Sequence, residues 1–135
     1  MSAFRRYEEV AVGDVFPPEP LRFTVGRDVV DGFLRATENE GYAGQPGQAP
    51  SMIASVYLID LLMARRSPPG GIHAKQALRF HRRIAVGETL SIQARVVEKY
   101  VRKDRPYVVS DFEAHGEDGG LISSGRITSI WGKDQ

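Results

Sequence analysis

The hydrophobic pattern of this chain changes period part-way along it. Residues 50–64, PSMIASVYLIDLLMA, form one run that is apolar on nearly every helical face. A helix of that kind has to be wrapped by other structure. Stretches rich in glycine and proline bound it, GYAGQPGQA at 41–49 and SPPGG at 67–71. From residue 73 onward the pattern reads as strands. Leu90, Ile92, Ala94 and Val96 share one face of a strand over 89–102, with Ser91, Gln93 and Arg95 on the other. The alternation slips at Val96-Val97, which predicts a bulge or a strong bend. Further strands are predicted over 73–84, 107–115 and 121–131, joined in part by a polar turn, KDRP at 103–106, and a GEDGG hairpin at 116–120. No helical segment intervenes, so these four strands are expected to run antiparallel.

The first third is mixed. A glycine-aspartate turn in YEEVAVGDVF (7–16) leads into PPEP (17–20), read as an extended, exposed connection. A short strand is predicted over 21–25. A helix follows over 27–37, with Gly26 at its N-cap, Asp28 in its first turn, and Val29, Val30, Phe33 and Leu34 on one face. Residues 38–49 form a loop of about a dozen residues, a length that in a small domain is often functional. Pro50 suits the N1 position of the apolar helix, and Arg65 and Arg66 complement the dipole at its far end.

Composition narrows the classes. The chain has 135 residues, 41% hydrophobic and 26% charged, which is ordinary globular make-up and enough for one domain spanning 1–135 with a real core. The net charge of +1 gives no electrostatic case for nucleic acid or an anionic membrane. With no cysteine, disulfides, thiolate catalysis and Cys-based zinc sites are excluded. His73, His81 and His115 show no metal-ligand spacing, so neither a metal nor a cofactor is expected. Residues 1–10 lack the apolar core of a signal peptide. The 50–64 run falls short of the roughly 20 residues that span a bilayer and contains Asp60. The expectation is a soluble cytoplasmic protein.

The order is therefore strand, small helix, loop, apolar helix and four antiparallel strands. That is an α+β arrangement of the hot-dog type, a curved antiparallel sheet around one central helix. Three segments carry a family resemblance: YEEVAVGDVF with FTVGRDVVDGFLRAT, LRFHRRIAVGETL at 78–90, and HGEDGGLISSGRI. With APSM at 49–52, they span nearly the whole chain in the right order. The sequence resembles the MaoC-like acyl dehydratases, the family that includes R-specific enoyl-CoA hydratases.

The resemblance implies chemistry on acyl thioesters carried by coenzyme A or an acyl carrier protein. Members typically place an aspartate and a histidine, in a G-D-x-N-P-x-H motif, just after the small helix. Together they activate water and move a proton to or from the α-carbon. Counted from Phe33, this chain has Asn39 and Gly44 at those positions, with Glu38 and Glu40 as neighbouring carboxylates. The resemblance further implies that a backbone donor at the first turn of the central helix polarises the thioester carbonyl. Ser51 and Met52 stand there, and Gln48 or water is the alternative partner for those donors. Candidate catalytic residues are thus Asn39 and Glu40, and candidate substrate-binding residues are Tyr42, Ser51 and Met52.

Each has a plainer reading. Asn39 suits a helix cap, Glu38 and Glu40 suit a solvated loop, and Tyr42 suits packing. Tyr57 and Asp60, three apart on the helix, keep a thioesterase in view. Arg79, Arg82 and Arg83 suit either coenzyme A phosphates or solvent. The functional alternatives are a hydratase or dehydratase with an altered acid/base set, a non-catalytic thioester-binding or heteromeric partner subunit, and, more weakly, a thioesterase. An open sheet edge and the resemblance both imply a homodimer or larger hot-dog oligomer.

Overall fold

The computed structural model describes residues 4–39 and 47–133. Five strands form one antiparallel sheet in the order β1-β5-β6-β7-β3: β1 (Val15–Thr24), β3 (Ile72–Phe80), β5 (Thr89–Arg102), β6 (Arg105–His115) and β7 (Leu121–Ile130). Among the described residues two α-helices accompany it, α1 (Arg27–Ala36) and the central α2 (Ala54–Met63). A two-stranded ribbon pairs β2 (Gln48–Ala49) with β4 (Ile84–Ala85).

The alternation seen in the sequence sets the core. Leu90, Ile92, Ala94 and Val96 are all buried, and they join Ala54, Tyr57, Leu58 and Leu61 of α2 in one cluster. The phase slip falls where expected: β5 and β6 change register between Val96 and Glu98. That bulge turns Lys99 toward the N-terminal segment, where its Nζ donates to the carbonyls of Val10 (2.6 Å) and Tyr7 (2.9 Å).

Several expected boundaries move, each for a local reason. The PPEP stretch is part of β1, on the free edge of the sheet, where absent amide donors do no harm. The turn at 103–106 shrinks to Lys103-Asp104, both at positive φ, as a two-residue hairpin of the I′ kind requires. The predicted strand 73–84 stops at Phe80, and Ile84–Ala85 leaves the sheet to pair with β2. Pro50 is an N-cap rather than N1, because Ser51–Ile53 forms a 3-10 turn before α2 begins. The central helix is also not wrapped on every side: Met52, Ile59, Asp60 and Met63 face outward.

Candidate functional site

Two helix ends and one turn build the site. The C-terminus of α1 closes in a Schellman motif: the Glu38 amide donates to the Arg35 carbonyl (3.1 Å), the Asn39 amide donates to that of Leu34 (2.7 Å), and Glu38 takes φ 58. The Asn39 side-chain amide turns back on the same cap and donates to the carbonyl and hydroxyl of Thr37, both at 3.2 Å. Asn39 is exposed. Glu40, Tyr42 and Gly44 lie outside the described residues.

The first turn of the central helix is positioned by the β2–β4 ribbon, which delivers Ala49 and Pro50 to it. The Ile53 amide donates to the Pro50 carbonyl at 3.0 Å, and Ser55 Oγ donates to the Met52 carbonyl at 2.9 Å. The amides of Ser51 and Met52 donate to no group among the described residues. They are the orphan donors of a helix N-terminus, which carries partial positive charge. Ser51 is half-buried, and Met52 keeps 49% of its surface exposed. Gln48, read as a possible cap for these amides, instead pairs with Ala85 in the ribbon, and its buried Oε1 has no partner among the described residues.

The residue that organises this region is Arg82. Its guanidinium donates to both oxygens of Glu88 (2.6 and 3.1 Å), to Asp118 (3.1 Å) and to the Arg83 carbonyl (2.9 Å). Glu88 is 9% exposed and also accepts from the amides of Ala85 and Glu117. Arg82 thereby holds the Glu88 carboxyl below the usual carboxylate range, with the two amides adding to the effect and burial opposing it. The Glu88 carboxylate, with Asp118 adding to it, pushes the Arg82 guanidinium above its ordinary range against the opposing effect of burial, so it stays charged. From the same turn the Glu88 carbonyl accepts from the Val25 amide (2.9 Å), the Gly87 amide donates to Val25 (2.7 Å), and the Val86 amide donates to Gly47 (2.8 Å). One ion cluster thus fixes the start of α1, the ribbon ahead of α2 and the 116–120 hairpin. Arg82 is occupied within the protein, while Arg79 and Arg83 remain exposed.

The other polar candidates are dispersed. Tyr57 is fully buried, its hydroxyl 2.6 Å from Ser123 Oγ, and burial pushes its phenol above the ordinary range. Asp60 points outward from the same helix, so the two do not share a site. His81 Nε2 lies 3.0 Å from Ser124 Oγ, and His115 lies 3.7 Å from Glu113. Among the described residues no group of histidines and carboxylates is arranged to hold a metal ion, and no helix is long and apolar enough to cross a membrane.

No protein-family model and no curated protein matches the chain. Solved structures do. R-hydratase PhaJ1 from Pseudomonas aeruginosa superposes with a TM-score of 0.78 at 18% identity, over 95% of this chain and 86% of that one. A MaoC-like dehydratase from Rhodospirillum rubrum gives 0.71 at 18% identity, over 95% and 97%. The C-terminally truncated HadBC complex of Mycobacterium tuberculosis, a 3R-hydroxyacyl-ACP dehydratase, gives 0.69 at 20% identity, over 90% and 96%. The chain has the α+β hot-dog fold that these R-hydratases and MaoC-like dehydratases share.

Proposed function

We propose that this protein holds acyl thioesters at the first turn of α2, as a hydratase-like hot-dog subunit whose acid/base set is altered. The amides of Ser51 and Met52, which have no acceptor among the described residues, carry this reading. They are hydrogen-bond donors at the positive end of the central helix, suited to a carbonyl oxygen that gains negative charge. At the position implied for the aspartate stands Asn39, whose amide neither takes up nor gives a proton near neutrality and is engaged in the α1 cap. Binding without hydration is therefore the leading form of the proposal, with Glu40, the next residue in sequence, as the carboxylate for any hydration that occurs. An active partner chain completing the site fits the same geometry, as the two-chain HadBC neighbour illustrates.

The test is calorimetric titration with butyryl-CoA beside an absorbance assay of crotonyl-CoA hydration. Saturable binding without hydration is expected. No binding removes the proposal. Hydration abolished by Glu40→Ala makes the protein an enzyme in its own right, and hydration surviving Asn39→Ala with Glu40→Ala places the chemistry elsewhere. Release of free thiol, lost in Asp60→Asn, supports the thioesterase reading.

A further inference from the structure

The turn that carries the Ser51 and Met52 amides has no cap of its own. Pro50 stands at its N-cap without a side-chain hydrogen bond, and its ring offers no capping group. The direction of the turn is therefore set by the chain that enters it. That chain is β2, which pairs with β4 in a ribbon of two residues a side, separate from the five-stranded sheet. A ribbon so short is marginal without outside support.

The support comes from Arg82. Its Nη1 donates to Glu88 Oε1 (3.1 Å) and to the Arg83 carbonyl (2.9 Å), and its Nη2 donates to Glu88 Oε2 (2.6 Å) and Asp118 Oδ1 (3.1 Å). All four Nη hydrogens are engaged. The fork grips both oxygens of Glu88, which fixes a carboxylate in direction as well as in place. Glu88 Oε1 in turn accepts from the Ala85 amide at 3.2 Å, and Ala85 stands opposite Gln48 in the ribbon. One residue on, the Val86 amide donates to the Gly47 carbonyl at 2.8 Å. Both strands of the ribbon are thus tied to one guanidinium, and the chain passes from Ala49 through Pro50 straight into the turn.

We propose that Arg82 is a positioning residue: through Glu88 and the ribbon it aims the Ser51 and Met52 amides at the thioester carbonyl, without touching the ligand. An amide hydrogen bond weakens steeply as its angle falls to about 120°. The aim of the donors, and not their presence alone, then decides how far the carbonyl is polarised. Lysine cannot replace Arg82 in full, because an ammonium is a point charge without the planar fork that holds two carboxylate oxygens. This role rests on thioester binding at the first turn of α2 and adds to it a residue outside the site.

Infrared spectroscopy of butyryl-CoA carrying ¹³C at the thioester carbonyl reads the polarisation directly, beside calorimetric affinity. Bound to wild type, the carbonyl band should lie below that of the free thioester. In Arg82→Met the affinity should fall about tenfold, the equivalent of one hydrogen bond, and the band of the bound form should move back toward the free position. Arg82→Lys should fall between the two. Arg22→Met, at an exposed arginine on β1, should keep the wild-type band. A band that stays put in Arg82→Met overturns the proposal whether or not affinity falls, since a merely structural role weakens binding without changing the bound carbonyl. An equal shift in Arg22→Met overturns it too. Should Arg82→Met fail to fold, the band in Arg82→Lys decides in the same way. Wild type that does not bind butyryl-CoA, or binds it with an unlowered band, removes the thioester reading and this role together. Wild type that lowers the band while the Arg82 variants lower it equally removes this role alone.

Discussion

Tyr57 and Ser123 share a hydrogen bond that spans 66 residues of sequence and ties the central helix to β7 inside the core. Replacing Tyr57 by Phe leaves the Ser123 hydroxyl buried without a partner, at a cost of about 1–2 kcal/mol in urea unfolding. Adding Ser123→Ala should recover most of that loss, because both polar groups are then gone. Ser51 invites a different substitution. Pro50 has ψ 139, which a following proline tolerates, and a proline in the first helical turn removes only an amide with no acceptor among the described residues. Ser51→Pro should thus leave stability nearly unchanged and weaken butyryl-CoA binding about tenfold, the equivalent of one hydrogen bond. Candidate residues at this scale were legible in the sequence only as alternatives. Tyr57 and Asp60 are neighbours by spacing, yet only the sheet on one side and solvent on the other tell them apart. For Asn39 the capping reading had a visible local signal, since the chain around it supplies both Thr37 and the residue that takes positive φ, Glu38.

Among the elements, β5 was read to the residue because its two faces differ in polarity and its bulge announces itself as a phase slip. The end of β3 was not legible. HAKQALRFHRRI contains no glycine or proline, and what diverts the chain after Phe80 is the pairing of Arg82 with carboxylates 6 and 36 residues further on. Gly116 belongs to the same cluster, since a Cβ there would fall on the Arg82 guanidinium and the Glu88 carboxylate. Glu88 is held below the ordinary carboxylate range in the folded chain. Its contribution to stability is complete above the unfolded pKa of about 4.3 and disappears as the pH falls through the lower folded value. Glu88→Gln should accordingly cost on the order of 2 kcal/mol at pH 7. The gap between variant and wild type should close on acidification below about pH 4, as thermal unfolding followed by circular dichroism across pH would show.

For the whole molecule, the hot-dog architecture was legible because a single apolar helix among antiparallel strands admits few other wrappings. Net charge, by contrast, concealed the most distinctive property of the surface. A total of +1 is the sum of a basic sheet edge and an acidic remainder, and the tally loses the arrangement that the order of residues preserves. The outward-facing apolar residues were hidden by a different route. From the sequence alone, Met52, Ile59 and Met63 are indistinguishable from the buried positions beside them, and only the reach of the sheet leaves them uncovered.

The prolines of β1 have a consequence for stoichiometry. Pro17, Pro18 and Pro20 deprive that border of three of the donors a neighbouring strand would need, so β3 is the more receptive edge of the sheet. A building block with one adhesive side terminates after a single addition. Three residues on the opposite side of the molecule thus disfavour growth of the sheet in both directions at once.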